Sequence, residues 1–147
     1  MEKSITVTLT QQQDYQFLID FSEAMPQLLA DEPEPLGQGI GPSPDQLLMA
    51  ASANCLAASL LFALRKFKQD AGTIVAKATG RVGRNEEGRM RVLGITVHLS
   101  LGKEAAEMEH LDRILGQFEA FCTVSQSIQA GIPIAVQVSD GSGKLLK

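Results

Sequence analysis

Between Leu47 and Leu64 the chain runs for 18 residues without a charged side chain. A stretch this apolar either approaches the length of a membrane span or is buried as a helix inside a protein core. Ser52, Asn54 and Ser59 interrupt it, alanine dominates it, and no second run accompanies it. Those features predict a central helix of a soluble fold, buried on most of its circumference, and no membrane partner. Its start is marked by Ser43 as N-cap, Pro44 at the first helical position and Asp45 as an acid against the helix dipole. Its end is set near Asp70 by Arg65, Lys66 and Lys68, with Gly72 just beyond.

The remainder of the chain is arranged around that helix. Residues 4–10 and 15–21 alternate polar and apolar, with the polar Gln11–Asp14 between them as a hairpin connection. Leu28–Ala30 is a short third strand, followed by a loop over 31–44 with four prolines and three glycines. After the helix, Ile74, Ala76 and Ala78 alternate, 84–89 turns, and Leu93 to Leu101 alternate back. From Glu104 the period becomes helical, with Met108, Leu111, Leu115 and Phe118 on one stripe. Thr123-x-x-Gln126 is a capping-box pattern for a shorter helix ended by Gly131 and Pro133. Ile132 to Val138 is the last strand. The order β-β-β-α-β-β-α-α-β, without repeats or a linker, predicts one α+β domain over residues 1–147.

A net charge of −4 with basic residues in deficit gives no footing for nucleic acid or an anionic membrane surface. No apolar leader precedes the first strand, and two cysteines without one imply a reducing compartment, so the expected location is cytoplasmic.

The cysteines occupy the two most distinctive settings. Cys55 lies in the charge-free run, with Asn54 adjacent and Ser52 and Ser59 a turn away. A cysteine in a buried helix is ordinarily core-filling, but polar residues on its face are wasted unless that face meets a pocket or an interface. Cys122 follows Phe118 by four residues. It either extends the apolar stripe, or sits before the Thr123 cap, where unpaired amides favour a thiolate. His98 falls on the polar face of its strand and His110 on a charged helical face, both as surface residues. Arg81, Arg84, Arg89 and Arg91 flank the second hairpin turn. The sequence has no metal-ligand spacing, phosphate loop, CxxC or GxSxG.

The segments Gly41-Pro-Ser-Pro-Asp-Gln-Leu-Leu-Met-Ala-Ala-Ser-Ala-Asn-Cys55 and Phe121-Cys-Thr-Val-Ser-Gln-Ser-Ile128 resemble the two signature segments of the OsmC/Ohr family, the organic hydroperoxide resistance proteins. The element order matches along nearly the whole chain. The resemblance implies an OsmC-like fold of antiparallel sheets packed on two long helices, and an intertwined homodimer with sites at its interface. It also implies an antioxidant thiol peroxidase acting on organic hydroperoxides. By position, Cys55 attacks the peroxide, Cys122 resolves the sulfenic acid as a disulfide, and an external dithiol reduces it. No metal, flavin or haem is called for.

Two positions depart from the family pattern. Its peroxidases use an arginine near the N-terminal strands and a glutamate just after the proline that starts the central helix. Here residues 1–64 hold no arginine, and the acid is Asp45. Asp45 lies ten residues before Cys55, about 15 Å along a continuous helix. An enzyme of this kind therefore competes with a second expectation, a weakly redox-active or non-enzymatic dimer whose cleft holds a small apolar or thiol ligand. A third is a stress-associated structural dimer with both cysteines buried.

Overall fold

In the computed structural model, which describes residues 1–147, the chain divides into two compact units, residues 1–48 and 49–147. In the first, β1 (Thr8–Gln13), β2 (Gln16–Asp20) and β3 (Leu28–Ala30) form an antiparallel sheet in that order. The hairpin is tighter than the expected Gln11–Asp14 connection. The three glutamines extend β1, and the chain turns at Asp14, whose φ of 50° is the left-handed conformation aspartate tolerates. Along β1 every residue is exposed, including its single apolar side chain, Leu9, and Ile5 and Val7 just before the strand are exposed as well.

The loop after β3 is organised by one carboxylate. Asp31, buried, accepts amide hydrogens from Glu32 at 2.8 Å, Gln38 at 3.1 Å and Ile40 at 3.3 Å. Burial alone raises its pKa, but these amides outweigh burial and hold the carboxyl below its ordinary value. Gly37 belongs to this ring because a Cβ there would collide with the Asp31 carboxylate and the Glu32 carbonyl.

The helix α1 spans Pro44–Lys66. Ser43 caps it as expected, and the cap is a full box: Gln46 N–H donates to Ser43 Oγ at 3.2 Å and Ser43 N–H to Gln46 Oε1 at 3.0 Å. It ends four residues before Asp70. Lys68 takes a φ of 57°, with Gln69 N–H donating to Leu64 O and Lys68 N–H to Arg65 O, a Schellman ending that leaves Gly72 outside the helix. The helix is not buried on most of its circumference. Within this chain it buries one stripe, Ser52, Leu56, Ser59, Leu60, Ala63 and Leu64, while Leu61 and Phe62 remain exposed.

In the second unit β4 (Val75–Arg84), β5 (Met90–Ser100) and β6 (Ile134–Ser139) make a sheet in that order. The hairpin β4–β5 is antiparallel, with a bulge at Arg81/Val82, and Ile95, Val97 and Leu99 of β5 enter the core. Gly80 leaves room for Met49 of α1 to lie against β4. The α+β class stands, but two expected details are corrected. The second sheet is mixed, because β6 pairs parallel with β5, which the crossover through residues 101–133 permits. The second long helix is also absent as a single rod. Ala105–Glu107 and Phe118–Phe121 are 3₁₀ turns that flank α2 (Leu111–Gln117), and α3 (Thr123–Ile128) follows. His110 at a φ of 62° and Cys122 in an extended conformation interrupt what the apolar spacing presented as continuous.

Candidate functional site at the two cysteines

Leu56 and Leu60 anchor α1 in the core of the second unit, and Cys55 beside them meets Cys122 and the Val124 and Ser125 amides at the start of α3. Cys55 is half-buried and Cys122 fully buried, both as free thiols. The two thiols interact, so residues 67 apart in sequence meet in space. Cys122 does not continue the stripe of the preceding helix. It is the N-cap of α3, accepting the Ser125 amide hydrogen on its sulfur at 3.4 Å, while Ser125 Oγ donates to the Cys122 carbonyl at 3.5 Å. Thr123 is therefore the first helical residue rather than the cap. Gln126 does not close a capping box; its side chain donates to the Glu119 carbonyl at 3.1 Å.

Burial pushes the Cys55 thiol above its ordinary pKa, and the neighbouring Cys122 adds to the rise. The amides of Val124 and Ser125 oppose it by donating toward the sulfur, and burial with the second thiol prevails. No cationic side chain is among the groups that set this balance. Asp45 lies exposed in the first turn of α1, without a hydrogen bond or ion pair, and is not among the neighbours of Cys55. The hairpin arginines are engaged locally: Arg84 donates to the Gly88 carbonyl at 2.6 Å and Arg91 to the Met90 carbonyl at 2.8 Å. His98 is more engaged than a solvated strand histidine. Its ring nitrogens reach Gln137 Oε1 at 3.2 Å and Ser139 Oγ at 2.9 Å on the parallel neighbour β6.

Cys55 opens onto a groove of about 380 Å³ lined by Ala58, Ser59, Phe62 and Phe121. The two rings meet edge to face, with centroids 5.7 Å apart at 69°. Ser59 thus faces a pocket, as polar residues on this helix face imply. Phe62 and Phe121 escaped the sequence reading, although Phe62 follows Cys55 by seven residues and so shares its helix face. No group of histidines, cysteines or acids in the chain is arranged to hold a metal ion. The arrangement is an apolar cleft whose floor is a nucleophile with a second sulfur in reach. It suits two-electron sulfur chemistry on a molecule with an apolar body.

A match to the OsmC-like protein family covers residues 37–137. No curated protein sequence matches the chain. Solved structures share its fold. An OsmC-like protein of unknown function from Vibrio cholerae aligns with a TM-score of 0.78 at 15% identity, over 93% of this chain and 99% of that one. An OsmC-like protein from Mycoplasma pneumoniae aligns at 0.77 and 17%, over 94% and 97%. An organic hydroperoxide resistance protein from Elizabethkingia anophelis aligns at 0.74 and 17%, over 95% and 99%.

Proposed function

The chain belongs to the OsmC-like protein family, and from that premise we propose that it is a thiol-dependent peroxidase for organic hydroperoxides. The observation that carries the reading is the meeting of the Cys55 and Cys122 thiols at the floor of an apolar groove. The Cys55 thiolate attacks the distal peroxide oxygen, the O–O bond breaks, and the alkoxide leaves with a proton as the alcohol. Cys55 is then a sulfenic acid. The Cys122 sulfur attacks it, a disulfide forms and water leaves. An external dithiol returns both thiols and is itself oxidised to a disulfide. Asp45 holds the acidic position of the family motif, but none of these steps uses it.

The family match crosses residue 49, which favours treating residues 1–147 as one OsmC-like domain. A homodimer is part of the reading. It is supported by the exposed apolar side chains of Ile5, Val7 and Leu9 near the N-terminus and of Leu61 and Phe62 on α1. A cytoplasmic location accords with two cysteines that remain free.

The test is dithiol-dependent consumption of cumene hydroperoxide. Turnover is lost in Cys55→Ser, and Cys122→Ser accumulates a sulfenic acid after one equivalent of peroxide. An active Cys55→Ser protein sinks the proposal. The pH profile carries a second signature. Since the Cys55 thiol is held above the ordinary value of about 8.5, the rate continues to rise past that pH instead of levelling near neutrality.

That raised pKa, with no arginine before Arg65, favours a second reading: a slow redox protein whose groove holds a small apolar or thiol ligand. Alkylation of the native protein separates the two. Cys55 that modifies readily above pH 8.5 and is protected by the hydroperoxide belongs to the enzyme, Cys55 that modifies but is protected only by a non-oxidising apolar or thiol ligand belongs to the alternative, and Cys55 inert at every pH removes both in favour of a structural role.

A further inference from the structure

Lys147 ties two parts of the second unit together. Its backbone pairs with β6: Val138 N–H donates to the Lys147 carbonyl at 3.0 Å and Lys147 N–H to the Val138 carbonyl at 3.2 Å. Val138 is fully buried, so this end of the tie rests on the core. The side chain grips α2 and the 3₁₀ turn Phe118–Phe121 that follows it. Its ammonium donates to the Leu115 carbonyl at 2.6 Å, pairs with the Glu119 carboxylate at 2.5 Å and lies 5.3 Å from the centroid of the buried Phe118 ring. In the chain's other two ion pairs, Lys103–Asp70 and His110–Glu109, the acids are 77% and 83% exposed, whereas the Lys147 and Glu119 side chains are 32% and 27% exposed. Water and salt therefore weaken this pair least.

The turn that Lys147 grips leads directly to the second sulfur. Glu119, whose carboxylate holds Lys147, accepts the Cys122 amide hydrogen at 3.1 Å and the Gln126 side-chain amide at 3.1 Å on its carbonyl. The same turn carries Phe121, which walls the groove. A disulfide needs Cα atoms roughly 4.4–6.8 Å apart and a restricted torsion about its S–S bond, so a small displacement of the turn costs the buried Cys122 sulfur its reach. Building on the peroxidase reading, we propose that Lys147 is a positioning residue for the resolving step. By fixing the Phe118–Phe121 turn against β6, it holds the Cys122 sulfur where it attacks the Cys55 sulfenic acid and releases water. It acts through Glu119 and is not among the groups that set the proton affinity of Cys55.

The test follows one equivalent of cumene hydroperoxide through both steps in the wild type, Lys147→Met, Lys147→Arg and Glu119→Gln, with dimedone to trap the sulfenic acid. Lys147→Met and Glu119→Gln slow disulfide formation relative to peroxide attack by about two- to fivefold, the scale of one sheltered ion pair, and so trap more sulfenic acid. Lys147→Arg keeps the wild-type ratio, and the double variant is no slower than either single one. Glu119→Gln preserves the shape of the turn and decides alone where Lys147→Met fails to fold. A tie that merely stabilised the fold would lower the urea midpoint and leave the ratio of the two steps unchanged, and that result overturns the inference. A wild type that consumes no peroxide sinks the peroxidase reading, and equilibrium with oxidised glutathione then decides the role of Lys147. There the two thiols form the Cys55–Cys122 disulfide as glutathione disulfide is reduced to two glutathione thiols. Expected is an equilibrium constant about two- to fivefold lower in Lys147→Met and Glu119→Gln than in the wild type. Equal constants, or no disulfide in any of the proteins, defeat the positioning role.

Discussion

Asp140 gathers hydrogen bonds from the Ala105 amide at 2.7 Å, the Ser142 hydroxyl at 2.7 Å, and the Ser142 and Lys144 amides at 3.0 and 2.9 Å. The first of these contributes most, and together they hold its carboxyl at about 2. A folded-state pKa below the unfolded one adds stability that is complete above the unfolded value near 3.9 and disappears as pH falls through about 2. Asp140→Asn should therefore be less stable to urea than the wild type at pH 7, with the gap closing between about pH 4 and pH 2. A gap that persists unchanged at pH 2 points to packing rather than ionisation. The sequence offered no sign of this, since Asp140 stands in a polar tail where an acid has no predictable partner. Cys55 differs: its polar company on an apolar helix correctly marked a pocket. Its contact with Cys122 was legible only through the family resemblance, because no local rule links positions 67 residues apart.

Among the elements, α1 was the most legible, since a charge-free run framed by Ser43-Pro44-Asp45 leaves little choice of structure. The parallel pairing of β6 was invisible because apolar alternation has period two in either direction. The broken second helix was disguised by Met108, Leu111, Leu115 and Phe118, whose spacing suits one rod as well as separate turns. The cap of α3 was misplaced by one residue because Thr123-x-x-Gln126 imitates a capping box, while a sulfur is seldom counted as a cap. This cap is weak and replaceable. Cys122→Ser keeps an acceptor for the Ser125 amide and should preserve slow hydrogen exchange at Ser125 and Gln126. Cys122→Ala removes the acceptor and should destabilise α3 by about 1 kcal/mol, read as faster exchange at those amides. Equal exchange in the two variants would show that the sulfur does not hold the helix end.

Across the whole molecule, the net charge of −4 conceals a division. Residues 1–48 carry eight carboxylates against one basic side chain, Lys3, whereas residues 49–147 carry twelve basic side chains against nine acids. The two compact units described above therefore have opposite polarity, −7 and +3. A molecule divided this way is its own electrostatic complement, because the acidic unit of one copy suits the basic unit of another. If copies associate by that complementarity, sedimentation should show tighter association in about 0.01 M salt than in about 1 M, as the screening length contracts from roughly 30 Å to roughly 3 Å. Association that is indifferent to salt would assign the attraction to the exposed apolar side chains of Ile5, Val7, Leu9, Leu61 and Phe62 instead. Where that charge complementarity draws copies together, ionic strength sets how tightly they associate, independent of the sulfur chemistry that each copy carries.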